Sequence, residues 1–232
     1  MKNLLFIFIA LFMISGVSAE SLEVFYSNFD SILPTEFQSS TNMELSSVGP
    51  YSGLGDSGNQ FSGNFLRDTQ IIATAKLTLN ALPEHTSIDI NFLLAVIDSW
   101  DGGVADEKFI VKVDGVTVFQ EYFDWDRRQT SNTIYNPPAG VDMMGISDIG
   151  FNQWKEQAFD MYKESAFDNI AHTADTLTIE WTDTLDGEPA TNESWALDNL
   201  SIVLNGVQTV PEPASIILLI LSLSTIAVFK RQ

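Results

Sequence analysis

Two acidic stretches hold the residues whose types and spacing could do chemistry. The first is Asp98-Ser99-Trp100-Asp101-Gly102-Gly103, followed by Asp106 and Glu107, at the end of an apolar run. Carboxylates interleaved with glycines can turn several oxygens toward one point, as calcium requires. The stretch is not an EF-hand loop, because it lacks the alternating ligand spacing and the terminal glutamate. The second is Glu193-Ser194-Trp195-Ala196-Leu197-Asp198-Asn199-Leu200. If Leu200, Ile202 and Leu204 face the core, period two puts Asp198 on that same face unless a bulge intervenes. An inward carboxylate needs a metal, an arginine or a set of backbone N–H groups. First and last strands of jelly rolls often lie together, so Asp30, near the first strand, is the companion expected for Asp198. The candidate calcium ligands are therefore Asp30, Asp98, Asp101 and Asp198, and calcium is the cofactor these clusters suggest.

Five tryptophans, at 100, 125, 154, 181 and 195, offer a different chemistry. An exposed indole face stacks on the apolar face of a sugar while neighbouring Asp and Asn bind its hydroxyls. Trp125, in the run Tyr122-Phe123-Asp124-Trp125-Asp126-Arg127-Arg128, is the candidate, since a hairpin should be ending there among charges. Catalytic machinery is harder to find. The chain has no cysteine, and its two imidazoles, His85 and His172, each precede a Thr just before a predicted strand, where capping a turn or packing is the ordinary role. Two distant histidines without thiols make a weak zinc set. Acid pairs such as Asp98 with Asp101 could cleave glycosides at the right separation, but 31 acidic residues produce such pairs by chance. No catalytic residue is assigned, and the chain reads as a non-enzyme.

Strands must position these residues. Leu22 to Tyr26 reads as a first short strand, and the Ser-, Gly-, Asn- and Asp-rich stretch 27–69 as long loops and short strands packing by single aromatic anchors. Ile71, Ala73, Ala75, Leu77 and Leu79 alternate with Ile72, Thr74, Lys76, Thr78 and Asn80. Ile88, Ile90, Phe92, Leu94 and Val96 alternate again, and Leu93 and Ala95 make the second face partly apolar, as in a central strand. Asp114-Gly115 between Phe109, Val111, Val113 and Val116, Val118 is a hairpin signal, because both turn positions need positive φ. Leu177, Ile179 and Trp181 mark a further strand and Trp195 to Leu204 the last. Residues 126–150 read as a long loop. From Gly150 to Ser165 the residues Phe151, Trp154, Ala158, Phe159 and Tyr162 fall at helical spacing and predict a surface helix. The fold expected for residues 20–209 is an all-β, antiparallel, jelly-roll-like β-sandwich in one domain.

Both ends are apolar. Lys2, the run Leu4 to Ile14 and the small residues Val17-Ser18-Ala19 have the layout of a signal peptide over 1–19, an N-terminal signal helix cleaved after Ala19. At the other end, the uncharged stretch 214–229 precedes Lys230 and Arg231 and reads as a transmembrane helix with its basic end inside. Before it stand Val210, Pro211, Glu212 and Pro213, an extended segment accessible to a peptidase at the membrane face. This order over 210–232 resembles the PEP-CTERM sorting signal. The resemblance implies an exosortase-like membrane peptidase as partner besides signal peptidase. It further implies passage through an inner-membrane intermediate to the cell surface, outer envelope or extracellular matrix of a bacterium making exopolysaccharide. The net charge of −20 makes nucleic acid a poor partner.

The segments Leu82-Pro83-Glu84-His85-Thr86, Asp98-Ser99-Trp100-Asp101-Gly102, Val113-Asp114-Gly115, His172-Thr173 and Glu193 to Leu200 resemble the body of a group of secreted β-sandwich proteins that often carry this tail and have no assigned chemistry. The expectation is an exported surface or matrix protein without catalytic activity. A carbohydrate-binding module for exopolysaccharide is the alternative, and a secreted glycan hydrolase comes third.

Overall fold

The computed structural model describes residues 18–37, 40–68, 73–126, 134–151, 154–185 and 192–209. Most of the expected signal peptide, the sorting motif Val210, Pro211, Glu212 and Pro213 and the span 214–229 lie outside the described residues, as do Ile71 and Ile72. Among the described residues no helix is long and apolar enough to cross a membrane. Residues Ser21–Val207 form one compact unit; of the other, made from both ends, only 18–20 and 208–209 are described.

The strands run in chain order as β1 (Ser18–Ser27), β2 (Met43–Ser47), β3 (Gly55–Asp56), β4 (Asn59–Gln60), β5 (Asn64–Asp68), β6 (Thr74–Asn80) and β7 (Ser87–Asp98). They continue as β8 (Lys108–Val113), β9 (Val116–Tyr122), β10 (Gln157–Asp160), β11 (Ile170–Ala171), β12 (Thr176–Asp183) and β13 (Glu193–Thr209). One sheet has the order β10-β7-β13-β5-β2, with β1 beside β13 and β11 beside β7, and the other has the order β6-β12-β8-β9. Their pairings are antiparallel wherever a register is defined.

The alternation read from sequence is what lays one sheet on the other. Ala75, Leu77 and Leu79 of β6, Phe109, Val111 and Val113 of β8 and Leu177, Ile179 and Trp181 of β12 share one core with Ile88, Ile90, Phe92, Leu94 and Val96 of β7. The intervening residues of β6 and β12 are polar and half-exposed or exposed, with Lys76 and Glu180 paired across the two strands at 2.7 Å. The Asp114-Gly115 turn joins β8 to β9 with φ of 48° and 79°, the positive pair such a turn demands.

The seven-stranded sheet is buried on its second face as well. Leu93, Ala95 and Ile97 of β7, Ala158 of β10, Ala196 of β13 and Phe65 of β5 lie under Tyr51 and Phe61, with Phe151, Met143 and Met144 packed against them. This face explains why the predicted helix over 150–165 is not there. Of the residues at helical spacing Ala158 and Phe159 belong to β10, whose Gln157, Ala158, Phe159 and Asp160 are all buried because both sides of the strand are covered, while Phe151 and Trp154 precede the strand and Tyr162 follows it. Two short 3-10 turns follow, Met161–Lys163 and Ser165–Phe167, with Asp160 and Glu164 accepting from Tyr162 N and Ala166 N. A strand covered on both faces has no period of two to display, so its apolar residues imitated a helical stripe.

Candidate functional site

The antiparallel register sets Glu193 of β13 opposite Asp98 of β7. Two acidic stretches nearly a hundred residues apart in sequence thereby become neighbours. Beyond Asp98, whose φ of 69° turns the chain, Trp100 drops into the core and is fully buried, its Nε1 donating to Ser194 O at 2.9 Å. The end of the β8–β9 hairpin is laid against this loop: Trp125 N donates to Trp100 O at 2.8 Å, and Asp101 bridges to Asp124. Gly102 permits the approach, since a Cβ there would stand 3.1 Å from Phe123 O in a conformation with φ of 59°.

This arrangement leaves a cleft of about 310 Å³ lined by Ser99, Asp101, Trp125, Trp154 and Asn192, at the small end of the range for ligand sites. Trp125 and Trp154 form its aromatic wall, with ring centroids 5.1 Å apart and planes inclined at 54°, and Trp154 is 45% exposed. Trp125 Nε1 donates to Asp101 Oδ1 at 3.3 Å. Lys155 Nζ stands 5.5 Å from the Trp125 ring centre and 3.1 Å from Asp126 Oδ1. On the opposite side Ser99 Oγ lies within 3.3 Å of Asn192 Oδ1 and 3.4 Å of Glu193 Oε1.

Behind Asp101 stand Glu107 and Glu193, both buried, and oxygens of the three carboxylates lie within 4.8 Å of one another. Asp101 N donates to Glu107 Oε2. Burial pushes the Glu107 carboxyl up, and the Asp101 charge beside it pushes the same way. Oxygen-only donors of this kind suit calcium, although six to eight oxygens complete its shell.

The candidate residues from the sequence fall into two places. Asp101 joins this convergence, while Asp98, also buried, lies outside it at the end of β7. Asp30 and Asp198 lie outside this convergence, close enough to each other for the Asp30 charge to act on Asp198. A bulge in β13 between Asp198 and Ser201 keeps Leu197 and Leu200 both in the inter-sheet core and turns Asp198 to the other side, fully buried. Its partners are backbone N–H groups: Ser62 N at 3.1 Å and Asn199 N at 2.7 Å. Burial raises the Asp198 pKa from 3.8 to about 7, and the nearby Asp30 charge adds to the rise. Asp30 itself accepts from Asn64 N at 2.9 Å and Asn28 Nδ2 at 2.7 Å.

Trp125 stands where the sequence suggested, at the end of the hairpin and at the cleft. Its partner Trp154 was hidden by the helical pattern, and nothing in the sequence singled out Ser99 or Asn192 as lining residues. The histidines take up a role away from the cleft. His85 Nδ1 lies 2.6 Å from Pro83 O, His85 Nε2 lies 2.7 Å from His172 Nδ1, and His172 Nε2 lies 3.1 Å from Asp114 Oδ2. This line ties three turns together, because Asp114 also accepts from Thr178 N at 2.9 Å.

A second cavity of about 270 Å³ is lined, among the described residues, by Gly55, Asp56, Gly140, Asp142, Met143, Asp160 and Lys163, none of them aromatic. Lys163 meets its acidic groups directly, at 2.7 Å from Asp56 and 2.9 Å from Asp160.

No protein-family model matches the chain, and no curated protein matches it. Among solved structures it is similar to the crystal structure of a Paenibacillus sp. cycloisomaltooligosaccharide glucanotransferase complexed with cycloisomaltoheptaose, at 14% identity and a TM-score of 0.31. The match covers 77% of this chain and 18% of that one.

Proposed function

We propose that this chain is an exported, non-catalytic β-sandwich that binds polysaccharide at the cell surface or in the extracellular matrix through the cleft beside Trp125 and Trp154. The observation that carries the reading is the wall of paired indoles set next to Asp101, Ser99 and Asn192. Indole faces take the apolar side of a pyranose ring, and the carboxylate, hydroxyl and amide take its hydroxyls. Two carboxylates poised for glycoside hydrolysis would have to flank a sugar. Asp101 lines the cleft, but Glu107 and Glu193 are 5% and 3% exposed and stand behind it, which favours binding over cleavage.

In this reading the strand orders β5-β13-β7-β10 and β6-β12-β8-β9 form a jelly roll. The N-terminal signal peptide exports the chain, and Val210, Pro211, Glu212 and Pro213 with the span behind them deliver it to an exosortase-like peptidase. Calcium held by Asp101, Glu107 and Glu193 is a second reading of the carboxylates, favoured by their convergence within 4.8 Å. Melting with EDTA and with added calcium tests it, and an unchanged midpoint removes it.

A polysaccharide array with the full chain tests the binding function. Trp125→Ala and Trp154→Ala should each weaken binding about ten-fold with little change in melting temperature. Absence of binding to every polysaccharide would sink the proposal.

A further inference from the structure

We infer that His85 and His172 form a proton-sensing latch: the two rings hold one positive charge between them, and that charge ties three turns to the end of β13. The latch lies just before the start of β7, whereas the tryptophan cleft lies beyond its end, so it stands apart from the glycan reading. The partners of the ring nitrogens fix the proton count. Pro83 O can only accept, so His85 Nδ1, 2.6 Å away, carries a proton. Asp114 Oδ2 stands 3.1 Å from His172 Nε2, while Oδ1 of the same carboxylate accepts from Thr178 N at 2.9 Å. An ionised carboxylate accepts only, so His172 Nε2 carries a proton as well. The two inner nitrogens, His85 Nε2 and His172 Nδ1, face each other at 2.7 Å. With the rings 17° from parallel and their centres 4.9 Å apart, these nitrogens lie almost on the line between the centres. One proton between them makes a hydrogen bond. None leaves two lone pairs opposed, and two would force a pair of N–H groups into one space. The rings therefore share a single inner proton, and Asp114 balances the charge.

Both rings are buried, so water does little to relieve either mismatch. Each member of the latch sits on a different segment: His85 between β6 and β7, Asp114 in the β8–β9 turn and His172 on the approach to β12. The backbone joins the same segments to the last strand. His172 N donates to Thr86 O at 3.3 Å, Thr86 N to Asn205 O of β13 at 2.9 Å, and Leu82 N to Asp175 O at 2.9 Å. Gly206 permits the approach, since a Cβ there would collide with Thr86 Oγ1. A change in the inner proton is thus felt at Thr86 and, through it, at the end of β13. The other acidic groups on the surrounding segments, Glu84, Asp89 and Asp175, bond to neither ring, and Asp89 accepts from Asn169 N at 2.7 Å. The end of β13 from Asn199 to Thr209 has no ionisable side chain. Asp114 is the charge that holds the proton in place.

The test is NMR of the full chain labelled with nitrogen-15 at histidine, together with amide hydrogen exchange from about pH 5 to pH 8. At neutral pH His85 Nδ1 and His172 Nε2 should each report a bound proton, and the two inner nitrogens should share one, with scalar coupling across their hydrogen bond. Protection of the Thr86 and His172 amides should pass through a maximum with pH. It should fall about ten-fold on the acid side, where a second inner proton is added, and on the alkaline side, where the first is lost. Asp114→Asn keeps an acceptor for Thr178 N and a residue that tolerates the positive φ of the turn. It should move the alkaline loss to lower pH. His172→Gln should leave protection of Thr86 flat across the range. Two rings without a shared proton at neutral pH, a flat profile in the unaltered chain, an alkaline loss unmoved by Asp114→Asn, or an unchanged profile in His172→Gln would each overturn the latch, and none of them bears on the glycan site.

Discussion

The two faces of the seven-stranded sheet are buried by different means. Its inner face meets a second sheet, strand residue against strand residue, and the largest side chains there are locked by several rings at once: Trp181 lies 6.2 Å from Phe37 and 6.0 Å from Phe92. Its outer face is covered by loop side chains, with Tyr51, Phe61, Met143, Met144 and Phe151 settling over Leu93, Ala95, Ile97, Ala158 and Ala196. The alanines matter, because small residues let the loops lie close. Trp154 and Lys155 follow directly after this loop cover, so one wall of the cleft depends on it. Ser99, Asp101 and Asn192 sit just beyond the ends of β7 and β13, and Trp125 just beyond the β8–β9 hairpin. A cleft placed at the seam between a sheet and its loop cover combines a fixed floor with an adaptable wall.

Substitutions should separate the two faces. Trp181→Ala empties the inner core and should cost about 3–5 kcal/mol in denaturant unfolding; a loss below 1 kcal/mol would mean the inner face is not the main source of stability. The next effect in size concerns pH. On the outer side Asp198 has a folded pKa of about 7 against 3.8 unfolded, and burial raises Asp68 and Asp183 in the same direction. A raised folded pKa means the folded state holds its proton more tightly, so this stability is complete below the unfolded value and is lost as pH rises through about 7. Unfolding free energy should be on the order of 2 kcal/mol greater at pH 5 than at pH 8, and Asp198→Asn should flatten that slope. A slope of opposite sign would break the assignment. Smallest is Phe151→Ala in the loop cover, expected to cost about 1–2 kcal/mol but to reduce glycan affinity as well. The inner-core variant, measured below its unfolding transition, should keep its affinity.

The contrast also explains what the sequence made legible. The inner face is written in period two, so β6, β7, β8, β12 and β13 and the Asp114-Gly115 turn could all be placed from residue order. The anchors Phe29, Phe37, Tyr51, Phe61 and Phe65 were visible as isolated aromatics in a polar stretch, and each is buried. The loop-covered face has no such rhythm. Gln157 to Asp160 are buried on both sides, and the apolar residues around them spelled a helix that tertiary pairing with β7 overrides. The site was half legible for the same reason. Asp101 and Trp125 sit at the ends of strands that alternation identifies, while Trp154, Ser99 and Asn192 reach the cleft through loop positions and a cross-strand register that residue spacing does not encode. The partner of Asp198 was open among metal, arginine and backbone. Ser62 and Asn199 supply backbone N–H groups, because the bulge brings the carboxylate against the loop before β5.

That bulge makes β13 two half-strands out of phase. Before it, odd-numbered Trp195 and Leu197 point into the inter-sheet core; after it, even-numbered Leu200, Ile202 and Leu204 do. The strand behaves like a sentence whose parity is reset midway, and the reset lies at Asn199, with φ of 47°. Its presence decides which of two chemically opposite sets faces inward over the second half of β13. Straightening the bulge with every residue kept would turn Ser201, Val203 and Asn205 toward the core in place of Leu200, Ile202 and Leu204, whereas removal of Asn199 would restore strict alternation with those three still inward. A one-residue deletion should therefore be tolerated better at Asn199 than elsewhere in this strand, where it would be a heavier lesion than most substitutions.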